Sequence, residues 1–453
     1  MRLYYQQGQS FVLTMIFLLI LSLSMVFVFN ITMMLDERLT AKSLADHAAY
    51  STANQQAKLL NLNAYMNRAK VANQLAISQA VSMGSWNKMI QKLGENVGMI
   101  PFPPLVILAR GVGFTGQVFA ESAGVYVGVG AAATLALDLE QDALNAAAVT
   151  ILRTPNLVLS QSENADRFQG LLLPISSSRN FINQDFLKRY SGNERTRMRE
   201  VVLNSIDPYT KARRSRDDCS ALLGMMCPVK YIGGSILYKR GGTELVGFDE
   251  WKGIDSWSVH NHRWQLRVKK LRLKWIHTVT EVPIAYGSAM ASTNNTDQDS
   301  RNSFSYGGST RTNGTGSQWS SGSRPTWDSR DGMVYPSVGI PNYYDLSEAE
   351  LAKSEPKFLI AISIKKKTKD LNTTGQASNL DVSGALTLSD GLGRSGLTAV
   401  SASEVYFERP ERFALNKGLK EKASLFNPYW RVRLIEPNTA NLAEAYSAAS
   451  LSP

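Results

Sequence analysis

Hydrophobic and polar positions alternate in very different ways along this chain. After ten short polar residues, MRLYYQQGQS, the stretch Phe11 to Phe29 (FVLTMIFLLILSLSMVFVF) runs for nineteen positions without a charge, with Thr14, Ser22 and Ser24 as its polar interruptions. As a helix rising 1.5 Å per residue it covers roughly 30 Å, the thickness of a bilayer's hydrocarbon core. It predicts a transmembrane helix in which Phe11, Leu18, Leu19, Leu21, Phe27 and Phe29 are anchoring side chains. A secretory signal peptide is the competing reading. Its apolar region stops after about 7 to 15 residues at a small-residue site, whereas Ile31, Met33, Met34 and Leu35 carry the apolar character on.

From Leu35 to about Leu93 the period changes to that of an amphipathic helix, without proline and rich in Ala, Leu, Asn, Gln and Lys. Tyr65, Ala69, Ala72, Ala76, Ala80 and Met83 recur at three and four and share one face, predicted to pack against another helix, while Asn63, Asn67, Asn73 and Gln74 lie off it. Pro101, Pro103 and Pro104 break the helix. Leu105 to Arg153 is again apolar and small, and the uncharged stretch Ser122 to Leu137 is short for a second span. The preferred expectation is a helix folding back on the first as a hairpin.

Residues from about Leu157 to Tyr209 read as mixed and mostly helical, closed by the basic KARRSR at 211–216. Strand patterns follow, with Arg240-Gly241-Gly242-Thr243 expected as a hairpin turn. In WQLRVKKLRLKW the apolar parity switches at Lys269-Lys270, which predicts a bulge or bend. Ser288 to Asp331 is too poor in apolar residues to bury a core and reads as a polar loop. Strands return at 357–364 and from Ala399 onward, with a second polar stretch between them. The fold class expected is α+β: a transmembrane helix continuing into a long amphipathic helix or helical hairpin, then an exported domain with antiparallel strands and long polar loops. Its boundaries are leader 1–10, anchor 11–35, helical stalk 36–156, exported domain 157–437 with the polar loop at 288–331, and tail 438–453.

Composition adds a charge of +11 over 453 residues. In an exported domain such a charge meets anionic lipid or polysaccharide rather than nucleic acid. Orientation follows from length: ten residues stay inside and the long remainder is exported to the periplasm or cell surface. Cys219 and Cys227, separated by seven residues, read as a local disulfide in an oxidising compartment, worth ~2 to 3 kcal/mol, against a pair of buried thiols. No catalytic constellation, cofactor loop or metal set emerges. Asp381-Val382-Ser383-Gly384-Ala385 lacks the second hydroxyl of an adhesion-type cation site. Asn295, Asp297 and Asp299 alternate without a calcium loop's Gly and Glu, and His260-Asn261-His262 has no third partner by spacing. The expectation is a non-enzymatic protein.

The segments QGQSFVLTMIFLLILSLSMVFVFN and NRAKVANQ at 67–74, with the late GIPNYYDL, SASEVYFERP and SLFNPYWRVRL, resemble TadE/TadG-like pilus-assembly proteins of the bacterial tight-adherence (Flp) pilus system. That resemblance implies a membrane-anchored, minor-pilin-like or assembly component in the bacterial inner membrane, working by helix packing with other pilus subunits. It also implies a processing site at Gly8-Gln9, with Leu13 standing where processed pilins carry Glu. A surface-exposed binding module for anionic polysaccharide, using the basic strands, is the alternative expectation.

Overall fold

The computed structural model describes residues 9–98, 103–161, 168–172, 186–218, 234–269, 272–293, 313, 332–366, 397–409, 422–440 and 442–443. Gly8, both cysteines, the Asp381 segment and Asn295 to Asp299 lie outside the described residues.

The chain is a mixed α+β protein in which two long helices precede and pack beside the strands. Helix α1 (Gln9–Gly98) is followed by α2 (Pro103–Ala147), which opens on two prolines, a residue suited to a helix's first turn because it lacks the N–H that the turn leaves unused. After α3 (Thr154–Ser160) come β1 (Phe168–Leu172), β2 (Leu187–Tyr190), α4 (Thr196–Ser205), α5 (Pro208–Lys211) and β3 (Arg213–Asp218). Then follow β4 (Ser235–Val246), β5 (Glu250–Lys269), β6 (Arg272–Ser292), β7 (Met333–Pro336), β8 (Tyr343–Leu346), α6 (Glu348–Leu351), β9 (Lys357–Lys366), β10 (Leu397–Phe407) and β11 (Trp430–Ile435). Sheets form in the orders β1-β9-β10-β11, β2-β8 and β3-β4-β5-β6-β7.

Two compact units emerge, each drawn from separated segments: Met1–Tyr65, Ala143–Lys188 and Asp345–Pro453 form the first, Met66–Asp142 and Arg189–Tyr344 the second. In the first unit, α1 lays an alanine stripe, Ala41, Ala45, Ala48, Ala49, Ala53 and Ala57, on the four-stranded sheet. The strand's alternation decides which residues it meets: Phe358, Ile360, Ile362 and Ile364 of β9 face the helix, whereas Leu359 and Ala361 sit in a smaller cluster with Val400 and Ala402. Phe186 packs edge-on to Phe358 and Trp430 beneath the same stripe.

In the second unit the later part of α1 packs on the five-stranded sheet and on α2. Gly94 lies against the backbone of Ala109 and Gly113, and Gly116 against that of Asn87 and Gln91, so the two helices touch where no side chain intervenes. This is the expected hairpin; farther along α2, Gly124 lies against the Tyr335 ring and Gly128 faces open space.

Several sequence expectations are corrected here. Arg240 to Thr243 is no turn; β4 runs straight through it, and the actual turn follows at Gly247, whose φ is 62°. Gly241 is glycine for a different reason, because a Cβ there would collide with the Asp255 carboxylate. The parity switch in WQLRVKKLRLKW is a hairpin and not a bulge: Lys269 pairs with Arg272 and Trp264 with His277. An antiparallel partner of odd register sum places residues of opposite parity on one face, which the sequence alone presents as a broken strand. The basic run 211–216 enters β3, Phe168–Leu172 forms a strand within the segment read as mostly helical, and Ser288–Ser292 belong to β6 and not to a polar loop.

Candidate functional site

The described residues offer surfaces and buried polar joints, so the site is built along α1. Phe11, Leu18, Leu19, Leu21, Phe27 and Phe29 are all more than half exposed, and the other large apolar residues from Val12 to Val28 are exposed on every side of the helix. A helix with no polar face and no protein cover over this length meets the requirements of a membrane span, a test that a signal sequence near an N-terminus also passes. Gln9 opens the helix.

Farther along, the helix has one face in and one face out. Of the small-residue set, Tyr65, Ala72, Ala76 and Met83 are exposed, Ala69 is half-buried and Ala80 is buried. The inward side instead carries a polar row, with Asn67, Lys70, Gln74, Ser78, Ser82 and Ser85 all buried beside the apolar Ile77, Val81 and Met89. Helical spacing alone could not reveal this, since a row of Asn, Lys, Gln and Ser reads as solvated until tertiary partners appear.

Each of these groups has its partner within the second unit. Lys70 Nζ forms an ion pair with Asp138 of α2 and donates hydrogen bonds to Gln141 Oε1 (2.6 Å) and the Asn342 carbonyl (2.9 Å). Burial pushes the Lys70 ammonium below its usual range, and the Asp138 carboxylate works against that shift. Gln74 donates to the Gly339 carbonyl (2.7 Å) and accepts from Trp251 Nε1 (2.9 Å), anchoring a fully buried tryptophan. Asn67 donates to the Tyr344 carbonyl (2.8 Å).

The densest joint crosses three strands. Arg213 on β3 and Asp255 on β5 each pair with Gly241 of the strand between them, and they meet over it, Nε to Oδ1 at 2.8 Å and Nη2 to Oδ2 at 2.9 Å. Ser85 of α1 donates to Asp255 Oδ2 (2.5 Å), and Thr243 bridges Ser82 and the guanidinium. Burial raises the Asp255 carboxyl above its usual range, opposed by the Arg213 charge and its hydrogen bonds. A two-pronged ion pair in a dry setting holds helix and sheet in one register. Burial also raises the Tyr344 hydroxyl to about 12.

The basic strands divide on inspection. Lys366 is not part of a positive surface: it is fully buried and paired with Glu37 of α1. Trp251 and Trp257 are buried in the core, whereas Trp264 and Trp275 are about half exposed. His262 Nδ1 and His277 Nε2 stand 3.0 Å apart with Trp264 stacked on His277 at 4.3 Å, a pairing across the hairpin that spacing did not show. No group of three or more His, Cys, Asp or Glu that could hold a metal is present among the described residues. Compared with protein-family models, with curated proteins and with solved structures, the chain matches none.

Proposed function

We propose that this protein is a membrane-anchored, minor-pilin-like or assembly subunit of a tight-adherence pilus, held in the bacterial inner membrane by Phe11 to Phe29 with its remaining chain exported. The carrying observation is one continuous helix that is apolar and uncovered on every side at its start, then buried along one face from Ala41 onward. That arrangement supports a mechanism of association: lipid takes the apolar segment, and the uncovered face with Tyr65, Ala72, Ala76 and Met83 receives a helix of a neighbouring subunit. Small side chains there permit close backbone approach. The resemblance of the first 35 residues and of Asn67 to Gln74 to TadE/TadG-like proteins supplies the biological setting, with Gly8-Gln9 as its processing site.

The test uses Ala72→Arg. Because Ala72 is exposed, an arginine there leaves the intramolecular packing intact while blocking a close partner. The expected outcome is loss of pili with the protein still membrane-bound; unchanged piliation overturns the packing face. Intact mass of the extracted protein, with its distribution between sheared pili and inner membrane, separates a processed filament subunit from a full-length assembly factor.

A further inference from the structure

β4 pairs with β5 only as far as Ser235 with Asn261, and β7 meets β6 only at 289–292. Among the described residues the two strands pair only with each other over Arg263–Thr278, and the His262 N–H donates to the Gly234 carbonyl at 3.1 Å. A two-stranded ribbon is only marginally stable in water unless one face finds cover. The register sorts its side chains sharply. His262, Trp264 and Leu266 of β5 share a face with Trp275, His277 and Val279 of β6, joined by Leu273, and Trp264, Leu266, Leu273, Trp275 and Val279 are all exposed. Arg263, Gln265, Arg267, Lys274 and Thr278 take the opposite face with Ile276, and the last backbone pair is Lys269 with Arg272. Residues 262–280 hold six Lys and Arg and no Asp or Glu.

Within that ribbon Arg267 stands directly opposite Lys274, and Lys269 opposite Arg272. Like charges facing each other across strands destabilise a sheet, so the Arg267–Lys274 pair carries a repulsion that an anionic partner relieves. Exposed apolar side chains on the other face need cover of a second kind. We propose that the 262–279 ribbon docks on an anionic lipid surface, with Trp264, Leu266, Leu273 and Trp275 entering the headgroup and acyl boundary and the cations meeting lipid phosphates. Tryptophan favours that boundary, and cations beside it are drawn to anionic headgroups. A polysaccharide would neutralise the charges yet leave Leu266, Leu273 and Val279 in water, so lipid accounts for both faces.

The experiment uses the full chain reconstituted into phosphatidylcholine vesicles with or without phosphatidylglycerol, each doped with a lipid brominated on its acyl chain. The difference in tryptophan quenching between the wild type and a Trp264→Phe/Trp275→Phe variant isolates the ribbon from the other six tryptophans. We expect ribbon-specific quenching in the anionic vesicles, its decline with salt, and its loss in Arg267→Glu/Lys274→Glu. Absence of that difference in both vesicles overturns the proposal, and equal quenching in both overturns the anionic requirement. Salt-sensitive binding of a soluble anionic polysaccharide that the same charge reversal abolishes, with no lipid quenching, assigns the ribbon to a glycan instead. The outcome is independent of whether the chain is a pilus subunit.

Discussion

The two stretches of α1 that build the two units differ in what dominates their buried faces. In the first unit the helix presents alanines to a sheet of isoleucine and phenylalanine, and the contact is mainly one of shape, with the Glu37–Lys366 ion pair beside it. In the second it presents Asn67, Lys70, Gln74, Ser82 and Ser85, and the contact is a set of directed hydrogen bonds and ion pairs. A shape contact tolerates any change that keeps the volume. A directed contact fails as soon as one partner is removed, because the other is left buried and unsatisfied.

That contrast can be broken most forcefully at Asp255. Asp255→Leu strands the Arg213 guanidinium and should cost about 3 to 5 kcal/mol, read as an earlier unfolding transition of the detergent-solubilised protein. The double variant Arg213→Leu/Asp255→Leu should recover much of that loss; a double variant as weak as the single would show that volume, and not charge, limits the joint. Next in size is Ala53→Leu on the alanine stripe, where added methylenes in a filled contact should cost about 1 to 3 kcal/mol. Ala76→Leu, on the exposed face of the same helix, should change stability by no more than about 0.5 kcal/mol. Equal losses at the two alanines would contradict the assignment of faces.

The smallest expected effect is one of pH. Burial holds the His260 imidazole below its usual pKa of 6.5, with Glu281 opposing. The unfolded chain therefore takes up its proton at a higher pH than the folded one. Its contribution to stability is present above pH 6.5 and declines as the pH falls toward the folded value. The wild type should lose stability between pH 7 and 5, and His260→Gln should flatten part of that slope; an identical slope in both would remove His260 as the cause.

Much of the architecture was legible. The apolar run, the long helix, the break at the prolines and the returning helix follow from period and propensity alone. So do β9 and the β10-β11 pair, whose alternation is local. What misled were residues whose role depends on a distant partner. Gly241 looked like a turn residue but clears space for Asp255. The parity switch at Lys269-Lys270 looked like a bulge or bend but is a hairpin, and Lys366, in a strand read as basic, pairs with Glu37. The residue types were correct evidence in each instance, and only their surroundings were missing.

The sequence by itself determined the helices, the apolar segment and the excess of positive charge, because these rest on near neighbours and on summed composition. Tertiary structure alone decided which face of α1 is buried and that its inward row in the second unit is polar. It also decided that Arg213 meets Asp255 across a glycine and that the 262–279 ribbon separates apolar from cationic side chains. Those outcomes depend on strand register and on partners tens to hundreds of residues away. A buried polar group is recognisable only once the atom that satisfies it is in place.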